Sequence, residues 1–274
     1  MSEAPNGKRV FLEISYDGTN YFGWQLQPDK ITVQEVIEDN LVKLYDDRHI
    51  RLTGSSRTDT GVHAMGFAAC YDAPEKPAIP LDKVKLVLNS RLPDAIKIRQ
   101  IKIVPDEFHA RYDAKGKAYT YVFNRGEVSP FAANYSRKTP GSISIERISE
   151  AVKHIEGTHD FTSFACAGSK VESNVRTIYR IDIQEFGQYL CITFIGNGFL
   201  YKMIRSIIGT LERIGFNKIQ PSDMKTIIEA KNRDAAAQTA PGCGLFLMKV
   251  FYGDDAPYSF KLERPPFQYP MQKD

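Results

Sequence analysis

Apolar residues along this chain switch between a period of two and a period near 3.6, and the switches predict its elements. Val10 to Ser15 keeps strand character and ends in Tyr16-Asp17-Gly18, a turn signal. Thr32 stands three residues before Glu35, the spacing of a capping box, and Val33, Val36, Ile37, Leu41 and Leu44 share one helical face that ends near Asp46. His49 to Thr53 is expected as a short strand, Gly54 to Gly61 as a polar loop, and Val62 to Tyr71 as a strand of small residues. Beyond the proline-rich linker Ala73 to Pro80, the run Val84, Leu86, Val87, Leu88 predicts a helix that stops at Pro93. Ile96 to Val104 returns to strand character, but Ile96 and Ile98 fall out of phase with Ile101 and Ile103. A regular strand cannot keep both pairs on one face, so a bulge is predicted near Arg99 and Gln100. The order so far is β-α-β-β-α-β, the split arrangement of ferredoxin-like domains.

The second half rhymes with the first. Lys117 to Asn124 predicts a strand, Ile145, Ile148, Val152 and Ile155 a helix closed by Gly157, and Phe161 to Ala165 a short strand. Thr177 to Phe186 and Tyr189 to Ile195 alternate around Gly187-Gln188 as a hairpin, and Met203, Ile204, Ile207, Ile208 and Leu211 mark a buried helix. A further helix begins near Ser222, and Leu245 to Tyr252 closes the series as a strand. The expected fold is α+β: two ferredoxin-like halves, residues 1–112 and 113–255, sharing a mixed, mainly antiparallel sheet with a central cleft. Residues 256–274 form an extension rich in proline and aromatics, to which the pattern assigns no role. Binding residues collect in loops that converge on such a cleft.

Composition narrows the class. With 274 residues, 42% hydrophobic and 25% charged, the chain can bury a large core and reads as an ordinary soluble protein. Its start lacks an apolar run behind basic residues, no window approaches a membrane span, and four widely spaced cysteines suit buried reduced thiols, so a cytoplasmic location is expected. A net charge of +3 does not diagnose a nucleic-acid binder, because such proteins show themselves by clustered charge. Locally, Lys97, Arg99, Lys102, Arg111, Lys115, Lys117 and Arg125 outnumber Asp106, Glu107 and Asp113, with Tyr112, Tyr119, Tyr121 and Phe123 interleaved. That stretch fits phosphate and base contacts, and it equally fits a solvated strand face with core aromatics.

Candidate chemistry concentrates in Ser55-Ser56-Arg57-Thr58-Asp59-Thr60-Gly61-Val62-His63-Ala64, a polar run between two strands. An aspartate beside an arginine and two hydroxyls is held ionised and can serve as a nucleophile; the same residues also suit an Asx-type turn with no chemistry. Asp59 and His63 alone do not complete a metal ligand set. Gly242-Cys243-Gly244 precedes a strand where a phosphate loop would precede a helix, and Ser55, His63 and Asp59 lack a nucleophile elbow.

The run Arg57 to Ala64 resembles the active-site motif of TruA-type pseudouridine synthases. Tyr16-Asp17-Gly18-Thr19-Asn20-Tyr21-Phe22-Gly23-Trp24-Gln25, Phe108-His109-Ala110-Arg111, Lys117 to Tyr121, Asp160 to Phe164, and Met203-Ile204-Arg205 with Gly209 are similar to that family's other blocks, in order. Ser56 and Thr60 depart from the family's usual glycine and alanine. The resemblance implies the pseudouridine synthase fold and an isomerase that converts uridine to pseudouridine in the anticodon stem-loop of tRNA, with base flipping and neither cofactor nor metal. It implies Asp59 as nucleophile, Arg205 as its partner, and Tyr119 as the residue stacked on the extracted uracil, with Tyr121 an alternative on the same strand face. Arg57, Thr58, His63, Arg111 and Leu245 are implied to bind substrate, Leu245 as an apolar floor. It implies a homodimer that holds tRNA, and no membrane association. A noncatalytic RNA-binding module and a metal-dependent phosphohydrolase built on Asp59 and His63 remain the rival readings.

Overall fold

The computed structural model describes residues 4–139, 142–166 and 171–269. It resolves the phase slip among the isoleucines first. Strand β1 (Arg9–Tyr16) pairs antiparallel with β4 (Ile96–Ile103), matching Val10 to Ile103, Leu12 to Ile101, Ile14 to Ile98 and Tyr16 to Ile96. The register shifts between Glu13 and Ile14, which leaves Arg99 unmatched, so one extra residue returns all four isoleucines to the same face.

Two compact units emerge. The first contains residues 1–115 and 247–254. On the other side of β1 lies β3 (His63–Asp72), antiparallel, and the two-residue β2 (Thr53–Gly54) pairs with β3. The sheet order is β4-β1-β3, with the later part of β10 (Leu245–Phe251) next to β3. Helix α1 (Val33–Tyr45) starts at the capping box of Thr32 and Glu35 and ends at Asp46, whose left-handed backbone (φ 53°) stops it; α2 is Leu81–Arg91. The expected strand over His49 to Thr53 shrinks to Thr53–Gly54, because only these residues find a partner on β3. Arg51 instead donates to its own neighbouring carbonyls.

The second unit contains residues 116–246 and 255–274. Strands β5 (Gly116–Asn124), β6 (Arg137–Lys138), β7 (Gly157–Asp160), β8 (Val175–Phe186) and β9 (Tyr189–Gly196) give the order β5-β9-β8-β7, with β6 parallel to β5. The β8–β9 hairpin turns at Gly187, which has φ +60°. Helices α3 (Ile145–Val152), α4 (Met203–Gly215) and α5 (Asp223–Glu229) complete it. Two expectations need correction. Helix α3 ends at Val152, and Gly157, with φ +99°, opens β7 instead of closing the helix. Phe161 to Ala165 is not a strand: Asp160 Oδ1 accepts the Thr162 N–H (3.1 Å) and starts a 3-10 turn over Thr162–Phe164. That turn buries Phe161 and Phe164 together, three residues apart.

The extension also has structure as far as residue 269. Arg180 donates to the carbonyls of Tyr258 and Phe260, Gln184 to that of Leu262, and the Phe267 ring meets Tyr135 and Tyr189. Among the described residues no helix is long and apolar enough to cross a membrane.

Candidate active site

Two loops of the first unit interlock. In the turn from β1 to α1, a β-carbon on Gly18 would stand 2.0 Å from the Val62 carbonyl oxygen, and one on Gly23 (φ +86°) would stand 2.4 Å from that of Thr58. Glycine is therefore required at both positions, at Gly23 for its backbone angle as well as for space. Trp24 N–H donates to Thr58 O (3.1 Å), Val62 N–H to Asp59 O (3.1 Å), and the Tyr16 hydroxyl bonds the Thr58 hydroxyl at 2.8 Å. Trp24 lies stacked on Phe67 (3.9 Å between centroids), and a β-carbon on Gly54 would meet Trp24 Nε1 at 2.5 Å. Burying such rings contributes about 2–3 kcal/mol each, so the clamp rests on core packing. Its outcome is a short arc with Thr58 and Val62 buried, Arg57 and Thr60 exposed, and Asp59 half-buried between them.

His63 belongs to the frame of this arc. Its ring is buried, and Asp17 Oδ1 and the Gly18 N–H both lie 3.1 Å from Nδ1. That nitrogen can donate to the first or accept from the second, not both. Asp17 Oδ1 also accepts from the Thr19 N–H and hydroxyl, which fixes the turn. Among the described residues no group of three or more His, Cys, Asp or Glu is placed to hold a metal ion.

Also in the first unit, Arg111 is exposed, its guanidinium 5.6 Å from the centre of the Tyr112 ring. Tyr112 is 74% exposed, whereas Tyr121 and Phe123 are fully buried. Of the basic-aromatic stretch, the strand aromatics are core and the loop residues 111 and 112 face solvent.

In the second unit, Arg205 sits in the first turn of α4. Its Nε donates to Ala240 O (2.7 Å), and Ala240 N–H donates back to Arg205 O (2.9 Å). One turn on, a β-carbon at Gly209 would lie 1.8 Å from Gln238 O, so the 238–240 backbone runs directly along the helix. From below, the Tyr121 hydroxyl donates to Pro241 O (3.1 Å), and Gly244 fits against the Tyr121 ring. Burial pushes that phenol far above its usual range. The segment delivers Leu245, buried, at the start of β10. Tyr119, two residues before Tyr121 on β5, is nearly buried and meets Phe199 edge-on at 5.3 Å. Thus Asp59, Arg57, Thr58, His63 and Arg111 belong to the first unit, and Tyr119, Arg205 and Leu245 to the second.

The sequence alone assigns no role to the supporting residues Tyr16, Gly18, Gly23 and Trp24, or to the carbonyls of Ala240 and Pro241. Two glycines flanking an aromatic run, Gly18 and Gly23, were the available signal: a turn that needs both is a turn against which another backbone packs.

Comparison with known proteins agrees with the blocks. The tRNA pseudouridine synthase family profile matches residues 14–113 and 151–253. A relative named tRNA pseudouridine synthase A from Clostridium acetobutylicum is 44% identical over 246 residues, covering 89% of this chain and 100% of its own length. Proteins of the same name from Streptococcus agalactiae serotype Ia (42% over 254 residues; 92% and 98% covered) and Geobacillus kaustophilus (41% over 249 residues; 90% and 96%) align as fully. With both stretches of the profile matched and relatives aligned nearly end to end, the chain belongs to the tRNA pseudouridine synthase family.

Proposed function

We propose that the protein isomerises uridine to pseudouridine in the anticodon arm of tRNA, with Asp59 as the covalent catalyst. The observation that carries this reading is the clamped arc around Asp59, inside a chain that matches the family over both units. A nucleophile is effective when its approach is fixed before substrate arrives, and a half-buried carboxylate on a loop tied at Thr58 and Val62 meets that need.

The reaction breaks the bond from ribose C1′ to uracil N1 and makes one from C1′ to C5. The C5 proton leaves, N1 gains a proton, and nothing is oxidised. The Asp59 carboxylate supplies the electron pair that holds the nucleoside while the base turns, whether at ribose C1′ or at uracil C6, and it is released intact. Arg205 orients that carboxylate. Tyr119 stacks on the extracted uracil and relays the C5 proton, its hydroxyl giving up its own proton toward N1 as it takes the one from C5. Its strand neighbour Tyr121 suits this task poorly, since its hydroxyl is buried and committed to Pro241 O. Leu245 forms the apolar floor, Arg57 and Thr58 flank the flipped base, His63 holds the arc in place, and Arg111 contacts phosphate. The protein works in the cytoplasm as a homodimer, which lets a chain of net charge +3 present a larger basic surface to one tRNA.

Asp59→Ala tests the reading directly. Pseudouridine formation on unmodified tRNA is expected to fall by about 10⁴-fold or more, with tRNA affinity within about threefold of the parent. Full activity in the variant overturns the assignment, and tRNA binding by a parent that forms no pseudouridine favours a noncatalytic RNA-binding module.

A further inference from the structure

The loop that clamps the Asp59 arc also shows an apolar face to solvent. Phe22, Leu26 and Ile31 are 43%, 39% and 60% exposed. The face is built, not frayed: Phe22 N–H donates to Ile31 O (3.0 Å), Gln27 Nε2 donates to Phe22 O (2.7 Å), and Gln27 and Lys30 form a β-bridge. The Lys30 ammonium stands 4.9 Å from the centre of the Phe22 ring. Phe22 immediately precedes Gly23, where a β-carbon would lie 3.1 Å from the Asp59 carbonyl carbon and 3.3 Å from the Thr60 nitrogen. The backbone that carries the exposed ring therefore packs, one residue on, against the backbone of Asp59 itself.

We propose that Phe22, with Lys30, is a stacking platform for a tRNA nucleotide flanking the target uridine; this rests on the uridine-isomerase reading. A flat ring gives a base a π-face irrespective of sequence, and a cation beside the ring meets the phosphate of the same nucleotide. Charge complementarity selects RNA as the occupant: an apolar protein surface would have to desolvate the Lys30 ammonium with nothing to pair it. Because the backbone that carries the ring is already held and the side chain has only two torsions, little freedom is lost when a base stacks on it. Everting a uridine costs stacking with its neighbours, and a platform beside the catalytic loop returns part of that to the base left behind. Phe22 is in this sense a positioning residue.

The test uses the full chain and a tRNA anticodon stem-loop carrying 2-aminopurine next to the target uridine. Phe22→Ala is expected to raise KM about 10-fold or more, leave kcat within about threefold, and reduce the quenching of 2-aminopurine on binding. Phe22→Tyr restores all three. Lys30→Gln lowers the slope of log affinity against log salt by about 0.7–0.9. Unchanged KM and quenching in Phe22→Ala overturn the platform, as does a change in oligomeric mass with KM unaltered, which would make the face a contact between copies. If the parent forms no pseudouridine, the isomerase reading falls, and the platform is judged by tRNA affinity and quenching alone.

Discussion

The Asp59 arc of the first unit and the 238–245 segment of the second are both irregular backbone held against regular elements, but with a different balance of means. The arc is positioned mainly by atoms that are missing: Gly18 and Gly23 let one loop lie directly on the carbonyls of another. The 238–245 segment also relies on a glycine, Gly209 against Gln238 O, but adds side-chain donors that reach its carbonyls, Arg205 Nε to Ala240 O and the Tyr121 hydroxyl to Pro241 O. A site held by absence is damaged by adding a methyl group, and a site held by donors is damaged by removing one. The first kind of damage moves backbone, and the second leaves it in place with an unmet carbonyl.

This difference sets an order of effects. Gly23→Ala should be the most severe, because it combines a left-handed backbone angle with a clash at Thr58 O. A stability loss of about 2–4 kcal/mol in denaturant unfolding and a fall of about 100-fold or more in pseudouridine formation are expected. Arg205→Lys keeps the charge but replaces a planar donor fork with a point charge. It should lower kcat about 10- to 100-fold in single-turnover assays, and cost about 1 kcal/mol of stability because the Ala240 carbonyl loses its Nε donor. Tyr121→Phe should be mildest for catalysis, with activity within about threefold, yet should cost about 1–2 kcal/mol of stability because the Pro241 carbonyl loses its donor. If Gly23→Ala proves milder than Arg205→Lys in both activity and stability, the contrast between the two modes of support fails.

Much of this is legible in the sequence. The capping box at Thr32 and the bulge at Arg99 could be read because each is a local conflict or a local pairing: two side chains three residues apart, or two isoleucine pairs out of step. The Asp59 loop was legible as a polar run between apolar strands. The short elements were not. Arg137–Lys138 and Gly157–Asp160 are strands only because β5 and β8 offer them partners, and no periodicity fits in two to four residues. Phe161 to Ala165 misled because buried aromatics read alike in a strand and in a 3-10 turn, and the Asp160 side chain decides between them. The clamp on the arc is only half legible: Gly18 and Gly23 mark a turn against which backbone packs, but the contact with Thr58 spans distant sequence and neither segment names the other.

Strand β10 has a bearing on how the molecule is made. Leu247–Asp254 completes the unit whose other residues end at Lys115, so a growing polypeptide must wait for roughly 130 more residues before that unit can close. At ordinary ribosomal speeds the delay is on the order of ten seconds, during which β3 has a bare flank where its last neighbour will later dock. Nascent chains at this stage carry the complete Asp59 loop on an unfinished scaffold, which closes only once Leu247–Asp254 has been made.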